Sequence, residues 1–351
     1  MMQAIFQSLL AAATERLIPL IDSREDYQYE PLPSADSLRL LSFNTDNLGQ
    51  INISLEAFEI RAAPPYQALS YCWDSPLDVP NFELPELFIQ TSGPVADAYN
   101  SKNKKPIVCN DGRLNISKNL KEFFDRLRED GYSQMEHKHL WVDAVCIDQS
   151  DPKERTVQVL RMGHIYQRAS SVLVWLGDSL PETGLALDVL QELRKIPFQR
   201  LEEMQRLSIT SDSTYNTLGI RRISEREWRA FVGFSRRSYF NRVWVVQEAI
   251  FARRLIFLCG EFCFPTKTLS IVGKILVLSG WSQQILGPYV PQFQPASGPQ
   301  VGAITAVFQM TDDLERQLEN PSLRTFICFS IMSSYVCESE TQLVWLNGSG
   351  G

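Results

Sequence analysis

The chain has 351 residues, 44% of them hydrophobic and 21% charged, which is ordinary for a folded globular protein and long enough for two domains. Its formal net charge of −7 argues against a nucleic-acid partner, because proteins that bind nucleic acids generally carry basic surfaces that neutralise phosphates. Seven scattered cysteines predict reduced core thiols in a cytoplasmic protein, and with three histidines and no paired metal-ligand motif no metal site is predicted.

Three segments are predicted along the chain. Residues 1–36 read as an amphipathic N-terminal helix and a polar lead-in. The N-terminal apolar run has no cationic leader, so it does not predict a signal peptide, and no run approaches the roughly 18 apolar residues of a membrane span. A domain is predicted at 37–265, and 266–351 are predicted to form a helical extension with a poorly ordered tail.

Apolar runs predict the strands of the first half of the chain. These runs are LRLLSF, INISLEAFEI and YQALSYCW, at 38–43, 51–60 and 66–73. A hairpin is predicted at 107–116, with its turn at Asn110-Asp111-Gly112. Ser117 then caps an amphipathic helix.

The segment LWVDAVCID, at 140–148, predicts a core strand that is interrupted by two carboxylates. An aspartate inside a sheet is costly unless it is hydrogen-bonded, so Asp143 needs a fixed partner. The favoured interpretation is that Asp143 is a polar brace that holds the loop after the third strand. The alternative is that Asp143 contacts a ligand hydroxyl. Asp148 lies where ligands of parallel sheets collect, and its role stays open between loop capping and a cleft.

A helix follows this strand, with three agreeing signals at its start. Asp151 is the predicted N-cap, Pro152 suits the first helical position, and Glu154 falls where a capping box has an acid. His164 is expected on the apolar face of this helix. The run SSVLVWLGD, at 170–178, predicts a further buried strand, so the strand–helix–strand unit implies a parallel pair.

The second half of the chain is predicted to be mainly helical. Helices at 180–230 are joined by the polar loop SITSDSTYNT, and LIFLCG, at 255–260, predicts one strand. The fold class that follows is α/β, with a central, mostly parallel sheet flanked by helices and a helical C-terminal region.

Three blocks carry a family resemblance. They are YQALSYCWDS, LWVDAVCIDQSDPKERTVQVLRMGHIYQRASSVLVWLGD and SYFNRVWVVQEAIFARRLIFLCG, at 66–75, 140–178 and 238–260. Together they resemble the fungal heterokaryon incompatibility (HET) domain. The resemblance implies non-self recognition that leads to programmed cell death, with self-association or protein partners. Asp74 stands where the family usually has glycine, and no RDKIYALLG-like helix follows, so a truncated, inactive member is an alternative.

The chain also looks like a remote relative of TIR domains, some of which cleave NAD. LSYCWDS and SSVLVWLGD are similar to TIR strands, and Trp244 precedes Glu248 by the four residues that separate a TIR tryptophan from its catalytic glutamate. This resemblance implies a TIR-like core and a NAD glycohydrolase that requires no cofactor, with NAD as substrate and Glu248 as the catalytic carboxylate. The nucleotide-binding residues that it implies are Ser70, Tyr71, Trp73, Asp74, Asp148 and Trp244.

A helix is predicted from Phe240 to Phe251, and it places Trp244 and Glu248 on one face. The residues themselves leave two interpretations of this pair open. A carboxylate near the ribose would stabilise the positive charge that builds as the nicotinamide bond breaks, much as in glycoside hydrolysis. In the other reading, Glu248 pairs with Arg242 or Arg253, and Trp244 belongs to the core.

Overall fold

The structure is a computed structural model, and it describes residues 23–44, 50–77, 103–235, 237–241, 248, 251–281 and 284. Most of the predicted N-terminal helix, Trp244 and the predicted C-terminal tail lie outside the described residues. The chain divides into two compact units. The first reaches Asp178 and includes Ala252–Arg254, and the second comprises Ser179–Phe251 and the chain from Leu255. The predicted boundaries at 37–265 and 266–351 stay predictions.

Within the described residues, the first unit contains seven sheet strands in the order β5-β4-β2-β1-β6-β3-β7. Its strands are β1 (Ser37–Asn44), β2 (Asn52–Glu59), β3 (Tyr66–Tyr71), β4 (Lys105–Cys109), β5 (Gly112–Ile116), β6 (His139–Trp141) and β7 (Val172–Trp175). β3 runs parallel to β6 and β7, and β2 runs parallel to β4. The other pairs are antiparallel. The α/β class is confirmed, but the sheet is mixed, and its parallel centre is β6-β3-β7.

Among the described residues of the first unit, three helices accompany these strands. They are α1 (Lys118–Glu129), α2 (Asp143–Cys146) and α3 (Pro152–Arg168). Both predicted N-caps are confirmed, because the Ser117 side chain accepts the backbone N–H of Leu120 and Asp151 accepts that of Lys153. These caps satisfy amide groups that have no partner inside the first turn, so both helices begin where the sequence places them.

Helices α1 and α3 cover opposite faces of the parallel centre. Phe123 of α1 packs on Trp175 with ring centroids 5.6 Å apart, and Tyr166 of α3 packs on Trp141 at 5.4 Å. Trp175 is opposite Tyr71 and Trp141 is opposite Ala68, which have opposite parity along β3. Since side chains alternate along a strand, the two tryptophans point to different faces. The parallel strands are therefore buried on both sides, as their continuous apolar sequences require.

The predicted strand at 140–148 is wrong beyond Trp141. The chain turns into the single-turn helix α2, where the N–H of Cys146 donates to the Val142 carbonyl at 2.7 Å. Asp143 Oδ1 accepts the N–H of Ala144 at 2.7 Å, and such local bonds compete with extended structure. Asp143 therefore lies beyond the strand, and the alternation predicted for this segment does not apply to it.

The buried face of α3 also differs from the prediction. Leu160 is 81% exposed, and His164 is exposed, so the predicted core histidine is wrong. The buried positions include Gln158, whose amide donates to the Ser37 carbonyl of β1 at 2.9 Å. Gln158 faces the core because it binds the end of β1. A prediction of the buried face that counts only apolar residues does not detect such a position.

The hairpin β4–β5 is confirmed. Asn110 and Asp111 both have positive φ, 44° and 69°, as a type I′ turn requires, and Asn and Asp tolerate this conformation. The side chain of Asn110 also exchanges two hydrogen bonds with the backbone of Leu55, both at 3.0 Å. The hairpin is thereby fastened to β2.

A buried ion pair joins β1 to the start of α3. The Arg39 guanidinium donates to Glu154 Oε1 at 2.5 Å and to Oε2 at 3.0 Å, and the two side chains are 4% and 10% exposed. It also donates to the carbonyls of Glu30 and Cys146. Burial lowers the pKa of Arg39, but its hydrogen bonds and attraction to Glu154 raise the pKa above its ordinary value. The predicted capping box is wrong, because Glu154 binds Arg39 and the N–H of Asp148 instead.

The second unit contains helices and one hairpin in its described part. They are α4 (Thr183–Leu193), α5 (Leu201–Met204), α6 (Asp212–Leu218), α7 (Glu225–Ser235), β8 (Leu255–Cys259), β9 (Phe262–Pro265) and α8 (Thr266–Leu278). The polar segment predicted as a loop, at 208–217, contains most of α6, and β9 was not predicted beside β8. None of the helices in the described ranges is long and apolar enough to cross a membrane.

We expect Arg39→Met to lower the free energy of unfolding by about 3–5 kcal/mol, because it leaves the Glu154 carboxylate buried without its cation. Arg113→Met is the matched control, since Arg113 pairs with Asp26, whose side chain is 60% exposed, and such pairs contribute about 0–1 kcal/mol. Urea denaturation followed by circular dichroism measures both. Equal losses in the two variants would contradict the structural role given to the buried pair.

Candidate functional site

The carboxyl ends of β3, β6 and β7 meet at one edge of the first unit's sheet, because the three strands are parallel. The segments that follow them carry Trp73, Asp143 and Asp178. Ligands and partners of α/β sheets commonly bind at this edge. This edge, with Trp73, Asp143 and Asp178 in the segments that follow the strands, is therefore the candidate functional site, and we call it the carboxyl edge.

Trp73 and Asp143 form the central contact of this edge. The indole N–H of Trp73 donates to Asp143 Oδ2 at 2.9 Å, while 42% of the tryptophan remains exposed. The brace predicted for Asp143 is confirmed, since it holds the loop after β3 through this bond. A hydrogen bond to a charged carboxylate is stronger than one between neutral groups, so the indole has a preferred orientation.

Asn119, in the first turn of α1, fastens the same loop from inside. Its amide donates to the Cys72 carbonyl at 2.7 Å, and its Oδ1 accepts the indole N–H of Trp175 at 2.8 Å. Asn119 was not predicted as a site residue, although the sequence contains a signal for it. Asn119 is fully buried and lies four residues before Phe123 on the apolar stripe of the helix, where asparagine is unfavourable unless it has a specific partner.

Asp148 makes its side-chain contacts within its own loop. Its Oδ1 accepts the backbone N–H of Ser150 at 2.9 Å and the Ser150 hydroxyl at 2.6 Å. Gln149 donates from its amide to the Asp143 carbonyl at 2.9 Å. Of the two roles left open for Asp148, these contacts support loop capping, and the loop between α2 and α3 is thereby ordered around Asp143.

The other predicted binding residues occupy different environments. Ser70 and Tyr71 are buried within β3, at 1% and 2% exposed, whereas Asp74 is exposed beside Trp73. The structure therefore brings Trp73 together with Asp143, and it places Ser70 and Tyr71 in the body of the sheet. Their proposed contacts with a nucleotide stay a prediction.

Glu248, the predicted catalytic residue, belongs to the second unit. It is helical and only 2% exposed. Arg253, one of its two suggested partners, donates from Nε to the Gln167 carbonyl at 2.9 Å. Trp244 and the other suggested partner, Arg242, lie outside the described residues. The catalytic role of Glu248 stays a prediction.

A cysteine nucleophile is not expected at this edge. Burial raises the pKa of the Cys146 thiol to about 12, and the same cause raises that of Cys109 to about 12. The Cys146 sulfur also accepts the N–H of Val142 at 3.3 Å. Since the thiolate is the reactive form, neither side chain is activated at neutral pH. Across the described part of the chain, no group of three His, Cys, Asp or Glu residues is placed to hold a metal ion.

The chemistry of the edge is aromatic and acidic. The exposed indole of Trp73 contacts Asp143, and the segments after its strands also carry the carboxylates of Asp74, Asp148 and Asp178. Such a surface suits a cationic or apolar group more than an anion, because the carboxylates repel negative charge. Tryptophan is also among the residues that dominate binding energy at protein interfaces.

Comparisons with known proteins concern the same region. The sequence model of the family described as "Heterokaryon incompatibility protein (HET)" matches residues 66–248. A relative from Neurospora crassa, "Heterokaryon incompatibility protein 6, OR allele", is 25% identical over 254 residues, 66% of this chain. The chain covers 37% of that relative's length. No solved structure matches the chain. Neither match concerns TIR domains, so that resemblance stays a prediction.

We expect Asp143→Ala to shift the indole N–H resonance of Trp73 upfield in a ¹⁵N-tryptophan spectrum, because the proton loses its charged acceptor. Trp73→Phe identifies that resonance among the seven tryptophans. Asp74→Ala is the control, as it removes a neighbouring exposed carboxylate without removing the acceptor. An unchanged Trp73 resonance in Asp143→Ala would refute the brace in solution.

Proposed function

This chain belongs to the heterokaryon incompatibility (HET) family, and from that premise we propose that it acts in heterokaryon incompatibility. It is a cytoplasmic module of non-self recognition, and its activation leads to programmed cell death through association with a second copy or a protein partner. The Neurospora crassa relative supports the incompatibility role by its name. Because the chain covers 37% of that relative, the proposal concerns the shared part.

The observation that carries the proposal is the exposed indole of Trp73. It lies in the region matched by the family, and it is 42% exposed although Asp143 holds it. A side chain that is already oriented loses little conformational entropy when a partner covers it. An aromatic side chain with one apolar face and a polar N–H is also well suited to a protein interface. The carboxyl edge therefore serves as the contact surface of the proposed signalling.

Expression of the chain in a filamentous fungus is expected to arrest growth, and Trp73→Ala is expected to relieve the arrest. The variant removes the exposed contact, and it leaves the buried sheet intact. Leu160→Ala is the matched control, since Leu160 is also a large exposed apolar residue, at 81% exposed, but lies outside the candidate site on α3. Colony growth measures the effect, with blotting to confirm equal protein levels.

Two outcomes would count against this function. If Trp73→Ala arrests growth as strongly as the wild-type chain, the carboxyl edge is not the contact surface. Normal growth with the wild-type chain favours the inactive family member instead.

A second candidate function is cleavage of NAD. The observation that favours it is the burial of Glu248, which is the least exposed carboxylate among the described residues, at 2%. Glutamates are almost never fully buried unless they are paired, so a buried glutamate in the region matched by the family marks a candidate site. Breaking the nicotinamide–ribose bond builds positive charge on the sugar, and a carboxylate held close to it lowers the barrier.

We expect Glu248→Gln to lower nicotinamide release from NAD by about 100-fold or more if this activity is present, because the variant keeps the shape and removes the charge. Glu192→Gln is the matched control, as Glu192 is another buried glutamate and pairs with Lys195 at 2.6 Å. Chromatography of the reaction of purified protein with NAD measures the product. Wild-type growth arrest by Glu248→Gln in the fungus would mean that signalling depends on association without NAD cleavage.

A further inference from the structure

A groove of about 530 Å³ lies within the second unit, and none of the predicted site residues lines it. One wall is a face of α4 that repeats at helical spacing, with Leu187, Leu190, Gln191 and Arg194. The other wall is formed by β9 and the first turn of α8. Its volume falls in the range of about 300–1,000 Å³ that is usual for small-molecule sites.

The body of the groove is apolar. Leu187 and Leu190 face it from α4, and Phe262, Phe264 and Pro265 face it from the other wall. Leu190 and Phe264 are buried, at 1% and 9% exposed, so the core of the unit supports this lining. An apolar chain or ring bound here would remove both its own surface and the lining of the groove from water. This burial favours binding by roughly 25 cal/mol per Å² of apolar surface.

Three polar groups in the groove have no partner among the described residues. Arg194 is the exposed cap residue at the end of α4. Its guanidinium makes no ion pair and no hydrogen bond to the described residues. Thr268 is 7% exposed as a whole residue, but its hydroxyl reaches the surface of the groove and makes no hydrogen bond to the described residues. The Gln191 amide is likewise without a partner. Lys195, by contrast, pairs with Glu192 at 2.6 Å.

Polar groups that face a groove without a protein partner are satisfied by water or by a bound ligand. An arginine that lacks an anion offers a fork of parallel N–H groups, which matches both oxygens of a carboxylate. The groove therefore combines an apolar body with donors suited to one small anion. Phosphate-rich ligands such as dinucleotides need more positive charge than this single unpaired guanidinium supplies.

We propose that this groove is a binding site for a small amphipathic carboxylate, an acyl or aryl acid. Its carboxylate binds the Arg194 guanidinium with help from Thr268 and Gln191, and its apolar body packs between Leu187 and Phe264. This inference goes beyond the proposed function, and it does not depend on the carboxyl edge or on Glu248.

Calorimetric titration of the full chain with sodium octanoate tests the site. We expect saturable binding with one equivalent, and a loss of about tenfold or more in affinity for Arg194→Gln, because a charge-assisted hydrogen-bonded pair is removed. Arg194→Lys is expected to recover part of the affinity through charge alone. Thr268→Val keeps the shape of the side chain, and it is expected to weaken binding about threefold or more.

Two controls separate the site from non-specific binding of an amphiphile. Arg226→Gln changes another exposed arginine of the same unit, one with no ion pair among the described residues, and should leave octanoate affinity unchanged. The neutral analogue 1-octanol should bind at least about tenfold more weakly than octanoate. Absence of saturable octanoate binding overturns the proposal, and so does equal affinity of wild type and Arg194→Gln, or equal binding of octanol.

Discussion

The buried pair of Arg39 and Glu154 is the interaction on which the first unit depends. Arg39 lies in β1, and its guanidinium joins the lead-in at Glu30, the end of α2 at Cys146 and the first turn of α3. Its charge also lies 5.0 Å from the centre of the Tyr29 ring. Two charges removed from water are stable only when their hydrogen bonds are nearly all satisfied. The segment between α2 and α3 is therefore restricted to the conformation that completes this network.

That restriction reaches the candidate site through Asp143. Arg39 and Glu154 hold the end of α2 and the loop after it. Helix α2 begins with Asp143, whose carboxylate accepts the Trp73 indole N–H. Asn119 fastens the same β3 loop to α1 and to β7. The exposed aromatic surface is thus supported by buried polar groups on both sides, and a partner that covers Trp73 meets a surface that is already ordered. This is the physical basis for placing recognition at the carboxyl edge.

Much of the local structure was predictable from the sequence, and the errors have common causes. Ser117, Asp151 and the Asn110-Asp111 turn act through bonds within a few residues, so their sequence signals were sufficient. The strand after Leu140 was predicted too long, because β-branched and apolar residues suit both a strand and a buried helical turn. Glu154 was assigned to a local cap because its partner, Arg39, is distant in the sequence. Asn119 was missed for the same reason.

The sequence by itself determined the α/β class, the family, the starts of the helices and the location of acidic and aromatic residues at the strand ends. The tertiary structure decided which of those residues meet. It paired Trp73 with Asp143, placed Ser70 and Tyr71 inside the sheet, and brought Arg39 against Glu154 across 115 positions of the chain. Caps and turns depend on atoms a few residues apart, whereas these pairings depend on the order and direction of the strands. That order is chosen by burial of the whole sheet, and no short stretch of sequence contains it.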